Sequence, residues 1–245
     1  MTQPATIDLW IARRVSTASL ASYRITHAAI ACFVRRVLFG MTEMSVSAFM
    51  ELAAGRTGHF VMESGLHSAL WLDLDALFAS PTRIEPFVSA LADMLRPFRV
   101  DAVCGPLVGG AFLAQSIAQA IGAEFWFTEP ASVADGPGLY RARYRLPRAF
   151  TNRSSRPRLV LVDDVMSAGS SLRATYAELR SSGDVVAVGA LMQLGTIGSS
   201  YFAEQNVPVK AVVQRAFETW PPAECPLCAA GARLEGVVAP AGDES

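Results

Sequence analysis

The chain has 245 residues, 51% of them hydrophobic, and a formal net charge of −1. That length suits one domain with appendages, able to bury roughly 70–75% of its extended surface, and the near-zero charge excludes a general nucleic-acid binder, which carries a basic excess. The four cysteines are irregularly spaced, which speaks against a disulfide framework and for a reducing cytoplasm, and no stretch reaches the ~20 uninterrupted apolar residues of a membrane span.

Residues 1–40 stand apart, with Arg13, Arg14, Arg24, Arg35 and Arg36 against one acid, Asp8. The segment has the composition of an Arg-rich targeting peptide, or it precedes the true start, since Met41 opens a credible N-terminus; both readings stand. Residues 45–54 read as a helix closed by Gly55, and LWLDL at 70–74 as a short strand. Residues 84–95 have helical periodicity. Residues 100–104 form a buried strand running into GPLVGG, followed by a helix at 111–121 that stops at Gly122. Strands are expected at 124–127, 159–162, 185–192 and 209–213, with a helix at 171–180 ended by Gly183. The residues after Gly236 read as a disordered tail. Apolar runs without alternation, separated by helices, mean parallel strands covered on both faces. The predicted fold is α/β, a doubly wound, mainly parallel sheet flanked by helices, with ligands at the carboxyl ends of its strands.

One stretch carries the chemistry. In LVLVDDVMSAGSS, residues 159–171, an apolar strand ends in Asp163 and Asp164, and a small-residue loop leads into a helix. Small residues let backbone N–H groups approach an oxyanion, and a helix N-terminus adds roughly half a positive charge. The loop therefore favours a phosphate that the aspartates should repel. A ligand with a phosphate at one end and a ribose diol, or a hydrated magnesium ion, beside it removes the conflict. No Gly-Lys pair exists for a Walker loop, and no GxGxxG follows the first strand.

This stretch resembles the phosphoribosyl pyrophosphate (PRPP) motif of type I phosphoribosyltransferases. The resemblance implies that Asp163 and Asp164 address the ribose hydroxyls, and that Ser167, Ala168, Gly169, Ser170 and Ser171 cradle the 5′-phosphate. Two further segments are similar to the orotate phosphoribosyltransferases. VCGPLVGGAFLAQSIA, from Val103, matches the pyrophosphate loop, so Leu107, Val108, Gly109 and Gly110 would offer N–H groups to the diphosphate. GHFVMESGLHSALWLDL, from Gly58, matches the hood over the base, with Ser64 and Gly65 in its turn and His67 and Glu129 also assigned to the base. By the same resemblance the enzyme uses magnesium with PRPP and a nucleobase, forms a homodimer and divides into a leader (1–40), a hood (41–80), a core (81–215) and a tail (216–245). Transfer to orotate would yield orotidine 5′-phosphate and diphosphate.

The sequence departs from the common pattern at two points. Glu63 stands where many relatives have lysine, and the mobile-loop region FTEPASVADGPGLYRARYRLP holds no lysine; Lys210, in a late strand, is the chain's single one. A lysine-poor branch is closer, with Glu129, Arg141 and Arg143 in this region. Arginine cannot shuttle a proton at neutral pH but holds diphosphate bidentately, which gives Arg141 and Arg143 the catalytic cation role. Three readings stay open: an orotate enzyme, an enzyme for another base, and a PRPP-binding regulator without turnover.

His59 and His67 flank the Ser-Gly turn; His67 reads either as a contact to the base or a phosphate, or as a turn histidine with a local backbone bond. Phe125, Trp126 and Phe127 read as core. Tyr140 and Tyr144 bracket the two arginines in a solvated hairpin or an active-site flap. Cys225-Pro-Leu-Cys228 supplies two of the four ligands zinc takes, to be completed across a symmetric dimer, or else is a turn with reduced thiols; Cys32 and Cys104 lie elsewhere.

Overall fold

The computed structural model describes residues 45–62, 65–131, 143–151 and 155–235. The leader with Cys32, the residues Glu63, Ser64, Tyr140 and Arg141, and the tail beyond 235 lie outside the described residues.

Among the described residues nine strands form two sheets. The larger is built on β3 (Ala102–Pro106), β4 (Glu124–Ala131), β6 (Arg158–Met166), β7 (Asp184–Leu194) and β8 (Val209–Arg215), with β5 (Arg143–Arg145) at one edge. Its order is β5-β4-β3-β6-β7-β8, parallel except for the antiparallel β4–β5 pair. The predicted doubly wound sheet is therefore observed.

Strand alternation divides the core into two layers. Val103, Val160, Val162 and Leu191 join Ile84, Phe87, Leu91 and Leu95 of α2 (Pro81–Leu95) and Leu113 and Ile117 of α3 (Gly109–Ile121). Cys104, Leu159, Leu161 and Val188 join Leu172 and Leu179 of α4 (Ser170–Leu179) and Phe202 of α5 (Ile197–Glu204). Both sheet faces are covered, which is why β6 reads as continuous apolar sequence rather than an alternation. The helix α2 starts with Pro81, whose missing N–H is an orphan at that position anyway. Its buried residues recur at helical spacing. The helix α3 stops at Gly122 in the left-handed region, φ 73°.

The smaller sheet has the order β1-β2-β9, from β1 (Arg56–Val61), β2 (His67–Trp71) and β9 (Thr219–Trp220). The expected strand at 70–74 is displaced to His67–Trp71, because its partners set the limits: His67 pairs with Val61 on one side and Trp220 on the other. Downstream, Asp73 N–H donates instead to Ala53 C=O, at 2.8 Å. The tail thus closes onto the hood: Glu235 N–H donates to His59 C=O at 2.7 Å. Before β1 in the chain comes α1 (Val46–Leu52), capped by Ser45 Oγ accepting from Ala48 N–H at 3.1 Å. Its Phe49 packs edge-on to Phe87 of α2, at 5.6 Å between centroids. No helix among the described residues is long and apolar enough to cross a membrane.

Candidate active site

Asp163 and Asp164 lie near the carboxyl end of β6, 8% and 7% exposed. The strand runs on to Met166, well past the expected end, because Val165 and Met166 still pair with Met192 and Gln193 of β7. Successive strand residues face opposite ways, and the turn from β3 into α3 meets both. A Cβ on Gly110 would sit 2.7 Å from Asp163 Oδ1, and one on Gly109 would overlap Asp164 Oδ2. One on Gly105 would overlap the Gly110 carbonyl. The glycines of GPLVGG are therefore a steric requirement for laying this turn on the acid pair. Leu107 N–H donates to Thr128 C=O at 2.9 Å, the Leu107–Val108 peptide is cis, and Val108 is exposed at the tip.

The pair is held by hydrogen bonds to the charged forms. Ser171 Oγ donates to Asp163 Oδ2 at 2.7 Å, and Val165 N–H donates to Asp164 Oδ1 at 2.7 Å. Burial nevertheless dominates. It pushes Asp164 up to about 6, and together with the neighbouring Asp164 charge it holds Asp163 well above the usual carboxylate range. Neither carboxylate has an arginine or lysine ion-pair partner among the described residues. Two desolvated acids in that state are poised for a cation or for hydroxyl donors.

On the other side of the pair, Ser167 to Ser171 turn into α4. Gly169 takes φ 72°, ψ 34° and the helix begins at Ser170, so the first N–H groups of α4 open toward the loop. The loop is backed by α5: Gly198 N–H donates to Ser167 C=O at 3.0 Å, and a Cβ on Gly198 would come within 2.6 Å of that oxygen. Asp163, Asp164, Leu107 to Gly110 and Ser167 to Ser171 thus converge at the carboxyl ends of adjacent strands β3 and β6, where open α/β sheets bind ligands.

The remaining expected residues are distributed differently. Glu129 is exposed in β4, opposite Arg145. In β5 the half-buried residue is Tyr144, whose phenol is raised first by burial and then by the charge of Asp163. Arg143 is exposed, and alternation sets it on the face opposite Tyr144; the structure does not bring it to the acid pair. Gly65 turns the β1–β2 hairpin at φ 79°, with its N–H donating to Met62 C=O at 2.8 Å. His67 is not at the acid pair. It is 6% exposed and lies with His59, Cys225 and Cys228, because β2 pairs on both sides at that residue. Trp126 is fully buried, as expected. The sequence reading missed that Tyr144 feels the charge of Asp163, and missed His59 as a partner of the cysteines; histidines either side of a hairpin turn together with a CxxC were the available signal.

No protein-family model matches the chain. Orotate phosphoribosyltransferase from Caldanaerobacter subterraneus subsp. tengcongensis is 31% identical over 193 residues, 78% of this chain and 94% of that protein. The Thermus thermophilus orotate phosphoribosyltransferase is 33% identical over 181 residues, 74% of this chain and 92% of that protein. The crystal structure of orotate phosphoribosyltransferase from Aeropyrum pernix superposes with a TM-score of 0.54 at 22% identity, over 69% of this chain and 92% of that one. A crystal structure of adenine phosphoribosyltransferase gives 0.52 at 20%, over 67% and 99%. The structural likenesses show the type I phosphoribosyltransferase fold, and the sequence relatives narrow it: the chain belongs to the orotate phosphoribosyltransferase family.

Proposed function

We propose that this chain transfers the 5-phosphoribosyl group of PRPP to orotate, giving orotidine 5′-phosphate and diphosphate, in the cytoplasm and as a homodimer. The observation that carries the reading is the acid pair Asp163–Asp164 set between two loops, the Leu107–Gly110 turn on one side and the Ser167–Ser171 loop on the other. PRPP has the matching order of groups: diphosphate, ribose diol, 5′-phosphate.

In this reading the loop from Ser167 to Ser171 takes the 5′-phosphate with backbone N–H groups and hydroxyls at the start of α4. Asp163 and Asp164 accept from the ribose hydroxyls, and their charge favours the positive character that develops at C1′ as the glycosidic bond to diphosphate breaks. A ring nitrogen of orotate supplies the electron pair for the new bond. The backbone of Leu107 to Gly110 holds the departing diphosphate, with Arg141 as the cation beside it. Asp163 and Asp164, desolvated and without an arginine or lysine partner among the described residues, would hold a hydrated magnesium ion arriving with PRPP, and that ion would supply positive charge to offset the leaving diphosphate. The chain's own contribution is positioning and electrostatics. Ser64 and Gly65 of the hairpin turn, and Glu129, are proposed to face the base.

Purified protein given PRPP, magnesium and a panel of bases tests the assignment. Orotidine 5′-phosphate formed with orotate, and little product from adenine, hypoxanthine or uracil, is expected. Product from another base alone would transfer the assignment to that base, and PRPP binding without product from any base would make the chain a PRPP-responsive regulator.

A further inference from the structure

Two of the chain's four cysteines and two of its three histidines meet at one point of the small sheet. His59 lies in β1 and His67 opens β2. Cys225 caps, and Cys228 lies in, the short helix α6 (Pro226–Ala229) that follows β9. Their four ligand atoms lie within 4.8 Å of one another, and three of the four residues are buried. We propose that His59 Nε2, His67 Nδ1, Cys225 Sγ and Cys228 Sγ hold one zinc ion in a closed structural site within a single chain.

The sulfur–nitrogen distances fit. A tetrahedral zinc with two sulfur and two nitrogen ligands has edges of roughly 3.3–3.8 Å at ordinary bond lengths. Cys225 Sγ is 3.4 Å and Cys228 Sγ 3.6 Å from His59 Nε2, and Cys228 Sγ is 3.3 Å from His67 Nδ1. The two ring nitrogens are 2.9 Å apart, closer than a tetrahedral edge, and would move apart by ~0.4 Å to take the ion. Two thiolates and two imidazoles with no carboxylate are a donor set for zinc rather than magnesium or calcium.

The hydrogen-bond count points the same way. His59 Nδ1 lies 3.0 Å from the Ala232 carbonyl, which can only accept. Nδ1 must therefore carry the proton, and in the neutral ring Nε2 presents a single lone pair into the cluster. That arrangement, an imidazole fixed by a backbone carbonyl behind it, is the usual support of a metal-bound histidine. Without a metal, His67 Nδ1 and both thiols would crowd that one lone pair. A cation at the centre gives each of the four atoms its own partner.

The second ligand pair comes from the hood of the same chain, so no second copy is required to complete the site. The other described cysteine, Cys104, is a core residue of β3 whose thiol burial pushes far up, away from ligand chemistry. The proposed ion explains why this corner orders at all. The strand β9 has two residues and α6 has four, too short to hold a terminal segment by themselves. Zinc would bolt that segment to the β1–β2 hairpin, where metal-binding energy becomes folding energy. With all four positions filled by protein, the ion has no open site for a substrate.

Untagged full-length protein, purified without chelator, should contain about one zinc per chain by mass-spectrometric metal analysis. The Cys225→Ser/Cys228→Ser double variant should retain less than about a tenth of that. Wild-type protein stripped and reloaded with cobalt(II) should show tetrahedral d–d bands and a thiolate charge-transfer band; this readout needs no variant to fold. Wild type that binds neither zinc nor cobalt overturns the proposal, as does equal zinc in the double variant, and iron in place of zinc overturns the choice of metal. Since the readout is metal content and spectrum, failure here leaves the phosphoribosyl-transfer reading standing, and failure of that reading leaves the zinc site standing.

Discussion

Gly109 lies flat against the carboxylate of Asp164: a Cβ at this position would overlap Oδ2. The contact ties the first residue of α3 to the acid at the end of β6, so the proposed diphosphate loop and the ribose-binding acids form one rigid unit. Gly109→Ala should push the loop off the acid pair. The expected result is a loss of at least roughly tenfold in kcat/KM for PRPP with about 1–3 kcal/mol of destabilisation, read by steady-state kinetics and denaturant unfolding. Unchanged kinetics would show that the loop tolerates displacement and is not part of the site.

Asp164 should cost the fold stability in its unliganded state. A carboxyl whose folded pKa is raised destabilises above that pKa; the cost is absent below its unfolded value and complete once the pH exceeds the folded one. The rise from 3.8 to about 6, at roughly 1.4 kcal/mol per unit, sets an upper bound of about 3 kcal/mol. Asp164→Asn should therefore unfold several degrees higher than wild type at about pH 7.5, and the gap should close near pH 4. A variant that is less stable at both pH values would contradict this electrostatic picture.

The same burial predicts the pH dependence of substrate capture. PRPP needs the acid pair charged, so kcat/KM for PRPP should fall as the pH drops through about 6, where Asp164 takes up its proton. Asp163, held well above the usual carboxylate range by burial and by the Asp164 charge, should release a proton as PRPP and magnesium bind. Calorimetry near neutral pH in buffers of different ionisation enthalpy measures that release. A binding enthalpy independent of buffer would show that both carboxyls are already charged.

How much of this is legible in sequence depends on whether the signal is local. The strands β3, β6, β7 and β8 are readable because full burial writes an uninterrupted apolar run, as are the helices α3 and α4 from their apolar period, and the acid pair is readable because it breaks such a run; α5, only eight residues long, is not readable. Partnership is not readable. The sequence leaves CPLC needing a second pair from somewhere, whereas the fold sets His59 and His67 beside it through β2–β9 pairing. Likewise β1 and β9 are strands only by virtue of their shared neighbour β2. Apolar signal ends β4 at residue 127, because Thr-Glu-Pro-Ala carries none, yet pairing with β5 extends it to Ala131.

Of the two candidate arginines, Arg143 lies among the described residues and Arg141 does not. Arg143 is exposed and faces away from Tyr144, which neighbours Asp163. Arg143→Ala is therefore expected to change kcat less than about threefold, and Arg141→Ala to lower it roughly 10²-fold if arginine carries the leaving-group charge. Single-turnover diphosphate release separates this from slow product release. Equal, small effects in both variants would remove the ribbon arginines from the chemistry.

The most direct measurement is diphosphate release from PRPP with orotate and magnesium, run side by side on wild type and Asp164→Asn. The account predicts orotate-dependent turnover in wild type and a loss of at least roughly 10²–10³-fold in a variant that is folded and thermally more stable. Orotate-dependent release at similar rates in both proteins would contradict it, because the acid pair at the end of β6 would then not be where the phosphoribosyl group is held.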